Sequence, residues 1–482
     1  MSQQLVPKRN KLKHFVRISA IYFIGNVLIK FISLLLLPLY TKYLHESDLG
    51  YNDTVVSALQ LIVTLLAVEI WSAILRFTLD YGTDNTAEKW RVISTGMRFF
   101  LLSAGLLLGV GFAVFPFVDL QHKWLILVLG LGLMLQSVFS GIARSLERNL
   151  LFMLSGVCGS ILTLLLNYIL IRRLGLGVEA LFIAAASGYY LQSLIVFFGV
   201  AFPKHFRWQA YDCSLLRNML KFSWPLCVNT LSYWLLTGYA KIAIAAVAGL
   251  EQAGIFAVAT RFSQILLLVT TIFNLSWQEV AFASGKDDDR RATYSGGFNL
   301  YARLLGMGVL VLIPITKLIF PLMVVNDGFA PALELVPLYY VSTLFSALTG
   351  FTGSVFGAEK KTHFVFLTTV IGGLTNIVLL HILLPSIGLI GAPIALTIGF
   401  GVIIAVRLFL LVRRGLMNIS YFQIIALAVA LAAVTVVTIR FDGVVLYVLT
   451  GVLTVLGFAV FTPLVLRLLR KRGKPGYENP TL

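Results

Sequence analysis

The chain has 482 residues, 59% of them hydrophobic and only 12% charged, with a formal net charge of +17. Soluble domains carry roughly 25% charged residues, so this composition excludes a water-soluble enzyme as the bulk of the chain. The basic residues are dispersed over many short loops, which removes the electrostatic case for nucleic-acid binding.

Apolar runs follow one another along almost the whole sequence, each near the length of about 20 residues that spans a bilayer core. They fall at 15–39, 50–75, 91–115, 123–143, 150–171 and 177–200, then at 219–247, 252–276, 297–321, 332–356, 362–384 and 388–411. Two more at 418–439 and 443–466 complete an all-α polytopic membrane protein of about 14 transmembrane helices. The divisions least marked are those between Ile142 and Leu150 and around Pro314 and Pro321. The first run is too long for a signal-peptide core and lacks a small-residue cleavage site, so it is read as retained. The polar tail from Lys474 is expected to be disordered.

Charge bookkeeping sets the orientation. With the N-terminus in the cytoplasm, most of the 38 basic residues fall at inner ends, including Arg76, Lys89, Arg91, Arg98, Arg144, Arg148, Arg303 and Arg407. Lys42, Lys123, Arg172, Arg173, Lys317 and Arg440 fall outside, and Lys30, Lys241 and Arg261 lie within spans. Positive residues favour the cytoplasmic ends of membrane helices, so both termini are expected inside. Cys158 and Cys227 fall within spans and Cys213 in an inner loop, a pattern that gives no disulfide framework.

The chain also repeats itself. Asp48-Leu49-Gly50-Tyr51 precedes a span with Gln60-Leu61-Ile62, and 204 residues later Gln252-Ala253-Gly254-Ile255 precedes one with Gln264-Ile265-Leu266. Ile169-Leu170-Ile171 through Gly175-Leu176 matches Ile382-Leu383-Leu384 through Gly388-Leu389 at an offset of 213, which places Gly159 on Gly372. Two matches in the same order suggest two pseudo-symmetric six-helix lobes followed by two C-terminal helices. The expected divisions are a cytoplasmic N-terminus at 1–14, an N-lobe of helices 1–6 at 15–203 and an inter-lobe linker at 204–218. A C-lobe of helices 7–12 at 219–411, helices 13–14 at 412–466 and a cytoplasmic tail at 467–482 follow.

Specific segments carry a family resemblance. Leu36-Leu37-Pro38-Leu39-Tyr40-Thr41-Lys42-Tyr43-Leu44 followed by Asp48-Leu49-Gly50-Tyr51 resembles the first hairpin of Wzx-type polysaccharide repeat-unit flippases. These belong to the multidrug/oligosaccharidyl-lipid/polysaccharide superfamily. Phe222-Ser223-Trp224-Pro225-Leu226, Ala253 to Ala259 and Phe273-Asn274-Leu275-Ser276-Trp277 resemble the seventh and eighth helices of that family, and Gly388 to Pro393 the turn before the twelfth. The chain departs from the family pattern at Ala240-Lys241, where an Asp-Arg pair is frequent, and at Gln278, where proline often follows the tryptophan. The resemblance implies a flippase, not an enzyme. It would move undecaprenyl-diphosphate-linked oligosaccharide from the inner to the outer leaflet of a bacterial plasma membrane by alternating access, for exopolysaccharide, capsule or O-antigen. It implies membrane lipids, a polysaccharide polymerase and glycosyltransferases as partners, no cofactor, and H⁺ or Na⁺ as the candidate coupling ion. A lipid II flippase and a cation-coupled multidrug exporter of the same superfamily are the alternatives.

Ionisable residues inside a membrane face a cavity or a partner. Lys30, Arg261, Lys241 and Arg76 are the candidates for holding the substrate's diphosphate, since arginine forks onto phosphate oxygens and lysine acts as a point charge. Snorkelling is the structural reading of Lys241, and a topology anchor that of Arg76. Glu69, the one acidic residue deep in a span, is the ion-coupling candidate, with a compensating pair to Arg76 as its structural reading. Asn26, Gln60, Asn229, Gln264 and Asn376 are candidates for sugar hydroxyls, and equally for helix-joining hydrogen bonds. Asp53 is expected to be solvated, Glu279 to mark an inner boundary, and the run from Lys286 to Arg291 to be a solvated loop without metal. No Walker loop, Cys-x-x-Cys or His-Glu-x-x-His occurs. The short outer segments argue against a polysaccharide polymerase or ligase.

Overall fold

Hydrocarbon offers no water to unpaired backbone groups, so each apolar run closes its hydrogen bonds within itself as a helix. The computed structural model describes residues 25, 27–81, 85–284, 289–419, 421–440, 451–452 and 455. Residues 15–24 of the first span, Asn26, the fourteenth span apart from 451, 452 and 455, the terminal segments 1–14 and 467–482, residues 286–288 and the side chain of Glu279 lie outside that description.

Residues 27–35 are helical and run into α1, Leu37–Tyr43, where Pro38 sits in the first turn and so removes no intrahelical hydrogen bond. His45 then opens α2, Glu46–Ala67, with the Asp48 carboxylate accepting from the His45 backbone N–H at 3.2 Å. Next come α3 Ile70–Thr78, α4 Thr86–Val114, α5 Lys123–Ser145, α6 Asn149–Arg172, α7 Val178–Gly199 and the short α8 Phe202–His205. They are followed by α9 Cys213–Thr237, α10 Tyr239–Val247, α11 Leu250–Ser284, α12 Arg290–Met323 and α13 Ala332–Ala358. The last described helices are α14 Thr362–Ile387, α15 Gly391–Arg413 and α16 Tyr421–Arg440.

The second to thirteenth expected spans all fall on these helices, the second on α2–α3 and the seventh on α9–α10, which meet at a bend of 41°. Among the described residues nine segments are long and apolar enough to cross a membrane, ten if that bent pair counts as one. One of the nine, Thr362–Arg413, is two helices, because the chain reverses at Gly388, whose φ of 68° suits glycine. The weakly marked divisions resolve simply. Glu147 turns the chain between α5 and α6 at φ 58°, while Pro314 and Pro321 both lie inside α12.

Two compact units, Met1–Ala257 and Val258–Leu482, meet within α11. In the first, Val63, Ile70, Ile74, Ile93, Met97, Phe100, Met134, Val138, Ile142 and Met219 form the apolar core of α2–α5 and α9. The α9–α10 pair, expected to open a second lobe, packs here on α2, α3 and α4. In the second unit α14 and α15 pack along their lengths, and α13 packs on α12 and α15. Large apolar side chains such as Leu102, Phe112, Leu165, Phe198, Leu322 and Phe409 remain exposed, as on a surface solvated by lipid.

The sequence repeats reappear as equivalent helix crossings. A Cβ on Gly50 would lie 1.9 Å from the Leu250 carbonyl oxygen, and one on its repeat mate Gly254 would lie 1.9 Å from that of Glu46. The two matched glycines therefore pack against each other's helices, as equivalent residues do at a pseudo-twofold contact. The second matched pair behaves alike within separate units. Gly159 meets the Gly188 carbonyl across α6–α7, and Gly372 meets that of Gly399 across α14–α15, each 2.7 Å from the added Cβ. Small residues at such crossings let membrane helices approach closely. Gly105 faces open space. Gly254→Ala is thus expected to lower the melting temperature of the purified protein clearly. Gly105→Ala, which only gains helix propensity of about 1 kcal/mol, should leave it unchanged or higher.

Candidate substrate and ion sites in the membrane

A polar seam joins α2–α3 to the antiparallel α9–α10 within the first unit. The Lys241 ammonium pairs with Asp53 at 2.8 Å, so Asp53 is held in an ion pair instead of being solvated as expected. The bend at Gly238 is tied to α2 by side-chain hydrogen bonds. Ser57 Oγ donates to the Gly238 carbonyl at 3.0 Å, and the Trp234 indole N–H donates to the Ser57 carbonyl at 3.1 Å. Further along, Cys227 Sγ donates to the Thr64 carbonyl at 3.4 Å. Broken membrane helices are tolerated where neighbouring side chains restore such bonds in this way.

A second break faces the same seam. Val68 and Glu69 both have left-handed backbones, with φ of 48° and 50°, and so end α2 and start α3. Non-glycine residues in this region cost of order 1–3 kcal/mol each and cluster at functional sites. The Glu69 carboxylate accepts from Thr230 Oγ1 with one oxygen and from Ser72 Oγ at 3.4 Å with the other. Arg76 pairs with Asp80 one turn on, so the compensating Glu69–Arg76 pair does not form. A carboxylate and two hydroxyls thus meet beside a helix break, the kind of place where membrane transporters build ion sites.

Lys30, on the helix at 27–35, is half-buried and has no hydrogen-bond or ion-pair partner among the described residues. Its neighbour Ile29 lines a cavity of about 220 Å³, together with Gly25, Gln136, Met153, Gly156, Ser160, Tyr189 and Gln192. Gln136 and Gln192 both donate through Nε2 to Ser140 Oγ, at 3.4 and 3.2 Å, from neighbouring helices α5 and α7. Neither glutamine was singled out in the sequence. Each stands alone in an apolar run, the same signal that marked Gln60 and Gln264. Gln60 and Asn229 are exposed, Asn229 adjoining the Thr230 that holds Glu69.

In the second unit Arg261 is partly buried on α11, with Gln264 exposed on the next turn and Asn376 buried on α14. Phe273 stacks on Tyr301 at 3.8 Å and Trp277 on Phe351 at 4.0 Å, which fixes the α11 tryptophan of the family-like segment against α12 and α13. Arg407, counted among the inner-end charges, is 2% exposed inside α15. Its Nε donates to Thr368 Oγ1 at 2.8 Å, Nη1 to the Thr349 carbonyl at 2.7 Å, and Nη2 to the Val365 carbonyl and Thr369 Oγ1 at 3.0 Å each. Neutral oxygens of α13 and α14 thus replace water around the guanidinium, a satisfied network that joins three helices.

Broken membrane helices, intramembrane cations and internally repeated hairpins are the anatomy of a membrane transporter. The fold agrees. It is similar to the lipid II flippase MurJ in an inward closed conformation, with a TM-score of 0.69 at 15% identity, over 94% of this chain and 99% of that one. It is also similar to an inward-facing multidrug resistance MATE transporter, with a TM-score of 0.64 at 16% identity, over 81% and 94%. An outward-facing form of such a transporter matches with a TM-score of 0.58 at 18% identity, over 83% and 94%. No curated protein sequence matches significantly. The chain belongs to the polysaccharide biosynthesis protein family, whose model matches residues 15–282. It is a multi-pass membrane protein with a flippase and transporter fold.

Glu69→Gln keeps an oxygen to accept from Thr230 and removes the charge. The variant is expected to insert and melt like the native protein while its transport loses dependence on pH or Na⁺. Unchanged dependence in a well-folded variant would remove Glu69 from coupling.

Proposed function

We propose that this protein flips undecaprenyl-diphosphate-linked oligosaccharide repeat units across a bacterial plasma membrane by alternating access, for exopolysaccharide, capsule or O-antigen. Family membership supports the reading, and one observation carries it: Lys30, a cation on the apolar helix at 27–35 with no partner among the described residues. An uncompensated cation there is costly, and a diphosphate in transit would offset that cost while losing its own water. A site built for cationic drugs would carry acidic residues instead.

In this reading Lys30 and Arg261, each in its own unit, serve the diphosphate. Lys241 and Arg76 are already shared with Asp53 and Asp80 and join them only when those acids let go. Gln60, Asn229, Gln264 and Asn376 offer hydrogen bonds to sugar hydroxyls, and Glu69 takes the coupling H⁺ or Na⁺. Both termini lie in the cytoplasm, where glycosyltransferases build the cargo, and a polysaccharide polymerase consumes it on the far side. A lipid II flippase is the second reading, favoured by the near-complete overlap with MurJ, which takes in 94% of the chain against 81% for the inward-facing exporter.

A deletion strain separates these readings. The proposal expects lipid-linked oligosaccharide to accumulate on the cytoplasmic side while surface polysaccharide disappears. A native copy should reverse this and an Arg261→Ala copy should not. Accumulated lipid II with intact polysaccharide would favour the second reading. Normal intermediates with altered drug susceptibility would make the protein an exporter.

A further inference from the structure

The first unit holds a second cavity, away from the polar seam, at the rim that the charge asymmetry assigns to the cytoplasm. Three successive loops of that rim build it. Thr86, Lys89 and Trp90 come from the start of α4, Leu146, Glu147 and Arg148 from the turn between α5 and α6, and Val200 and His205 from the segment around α8. Its volume is about 280 Å³.

Lys89 is only 7% exposed, yet its ammonium has no hydrogen-bond or ion-pair partner among the described residues. The Lys89 side chain lines the cavity, so its charge opens onto that space. Among the described residues the nearby acids do not compensate it. Glu88 and Asp212 both engage Arg91, at 3.4 and 2.6 Å. Glu147 lines the same cavity but forms no ion pair with Lys89 or Arg148. Arg148 is exposed at the rim. His205 stacks on Trp90 at 4.9 Å between ring centroids, and its Nδ1 lies 3.1 Å from the Ala201 carbonyl oxygen, which leaves Nε2 free of that bond. The first turn of α4 adds backbone N–H groups, since Asn85 gives it no side-chain cap.

Among the described residues the cavity is thus a cationic recess, with Glu147 the one acid lining it, where membrane helices leave the bilayer. The anions concentrated at such a boundary are phospholipid headgroups, and basic recesses between membrane helices on the cytoplasmic side are where these dock. We propose that this recess binds a phosphate group, supplied by the headgroup of an anionic phospholipid. Lys89 and Arg148 take the phosphate oxygens, and His205 and Thr86 orient it.

The bound headgroup has a mechanical consequence. The segment that follows α8 already lies along α4, through Arg98 sandwiched between Trp208 and Tyr211 at 4.4 and 4.6 Å and through Arg91 on Asp212. The recess sits where that segment begins. A phosphate bridging His205 to Lys89 fastens the remaining end, so anionic lipid stiffens the connection that leads to α9.

The test uses the purified full-length chain in neutral detergent, titrated in separate arms with phosphatidylglycerol, phosphatidylcholine and inorganic phosphate, with the melting temperature as readout. Phosphatidylglycerol is expected to raise it saturably and phosphatidylcholine to leave it unchanged. Lys89→Gln should weaken the phosphatidylglycerol effect at least about fivefold, the value of one basic residue near an anionic surface. Arg148→Gln, at an exposed position, guards against a folding defect at Lys89 and should weaken it similarly, while Arg173→Gln on the opposite rim should not. If inorganic phosphate alone saturates the site and the same variants block it, the phosphate assignment stands and the lipid source is overturned. Equal responses of the native protein and both recess variants in every arm would overturn the site itself.

Discussion

Everything in this fold follows from the fact that hydrocarbon cannot hydrogen-bond. Regular helix is the default because it satisfies its own backbone, so each departure from helix and each buried charge has to be compensated by a particular neighbour. At the Gly238 bend the compensation is Ser57 and Trp234. At the Val68–Glu69 break Thr230 and Ser72 hold the carboxylate. The two breaks lie on antiparallel partners and face a common seam, which gathers polar groups in one place. An unbroken pair of helices would be the more stable solution for mere packing.

The same constraint sorts the charges by role. Lys241 has Asp53, and Arg407 has the carbonyls and hydroxyls of Thr349, Val365, Thr368 and Thr369. These cations are consumed by the protein and act as fasteners between helices. Lys30 is not consumed in this way among the described residues. A membrane cation with no partner among the described residues is the one to test against an anionic passenger, and the family to which the chain belongs makes lipid-linked glycans the natural passenger to try.

Much of the fold was legible in the sequence, because a run of about 20 apolar residues has few alternatives to a membrane helix. The twofold repeat was legible too, through Gly50 with Gly254 and Gly159 with Gly372, although that the first pair would pack on each other was not. What the sequence hid were contacts between distant segments. Arg407 looks like one more positive charge near an inner helix end until Thr368 and Thr369 of another helix close around it. Lys89 was absorbed into the same topological count, and Asp53 looked solvated until Lys241 came to lie beside it. The glutamines of the 220 Å³ cavity, Gln136 and Gln192, carried the signal of isolated amides in apolar runs, but only the packing of α5 on α7 brings them to Ser140.

The most direct test of the central claim is reconstituted flipping of an undecaprenyl-diphosphate oligosaccharide in liposomes of fixed lipid composition. Native protein should be compared with Lys30→Gln and Lys30→Arg at matched insertion. If an uncompensated cation receives the diphosphate, Lys30→Gln loses most of the flipping rate and Lys30→Arg keeps it. Equal rates for the native protein and Lys30→Gln would contradict the account.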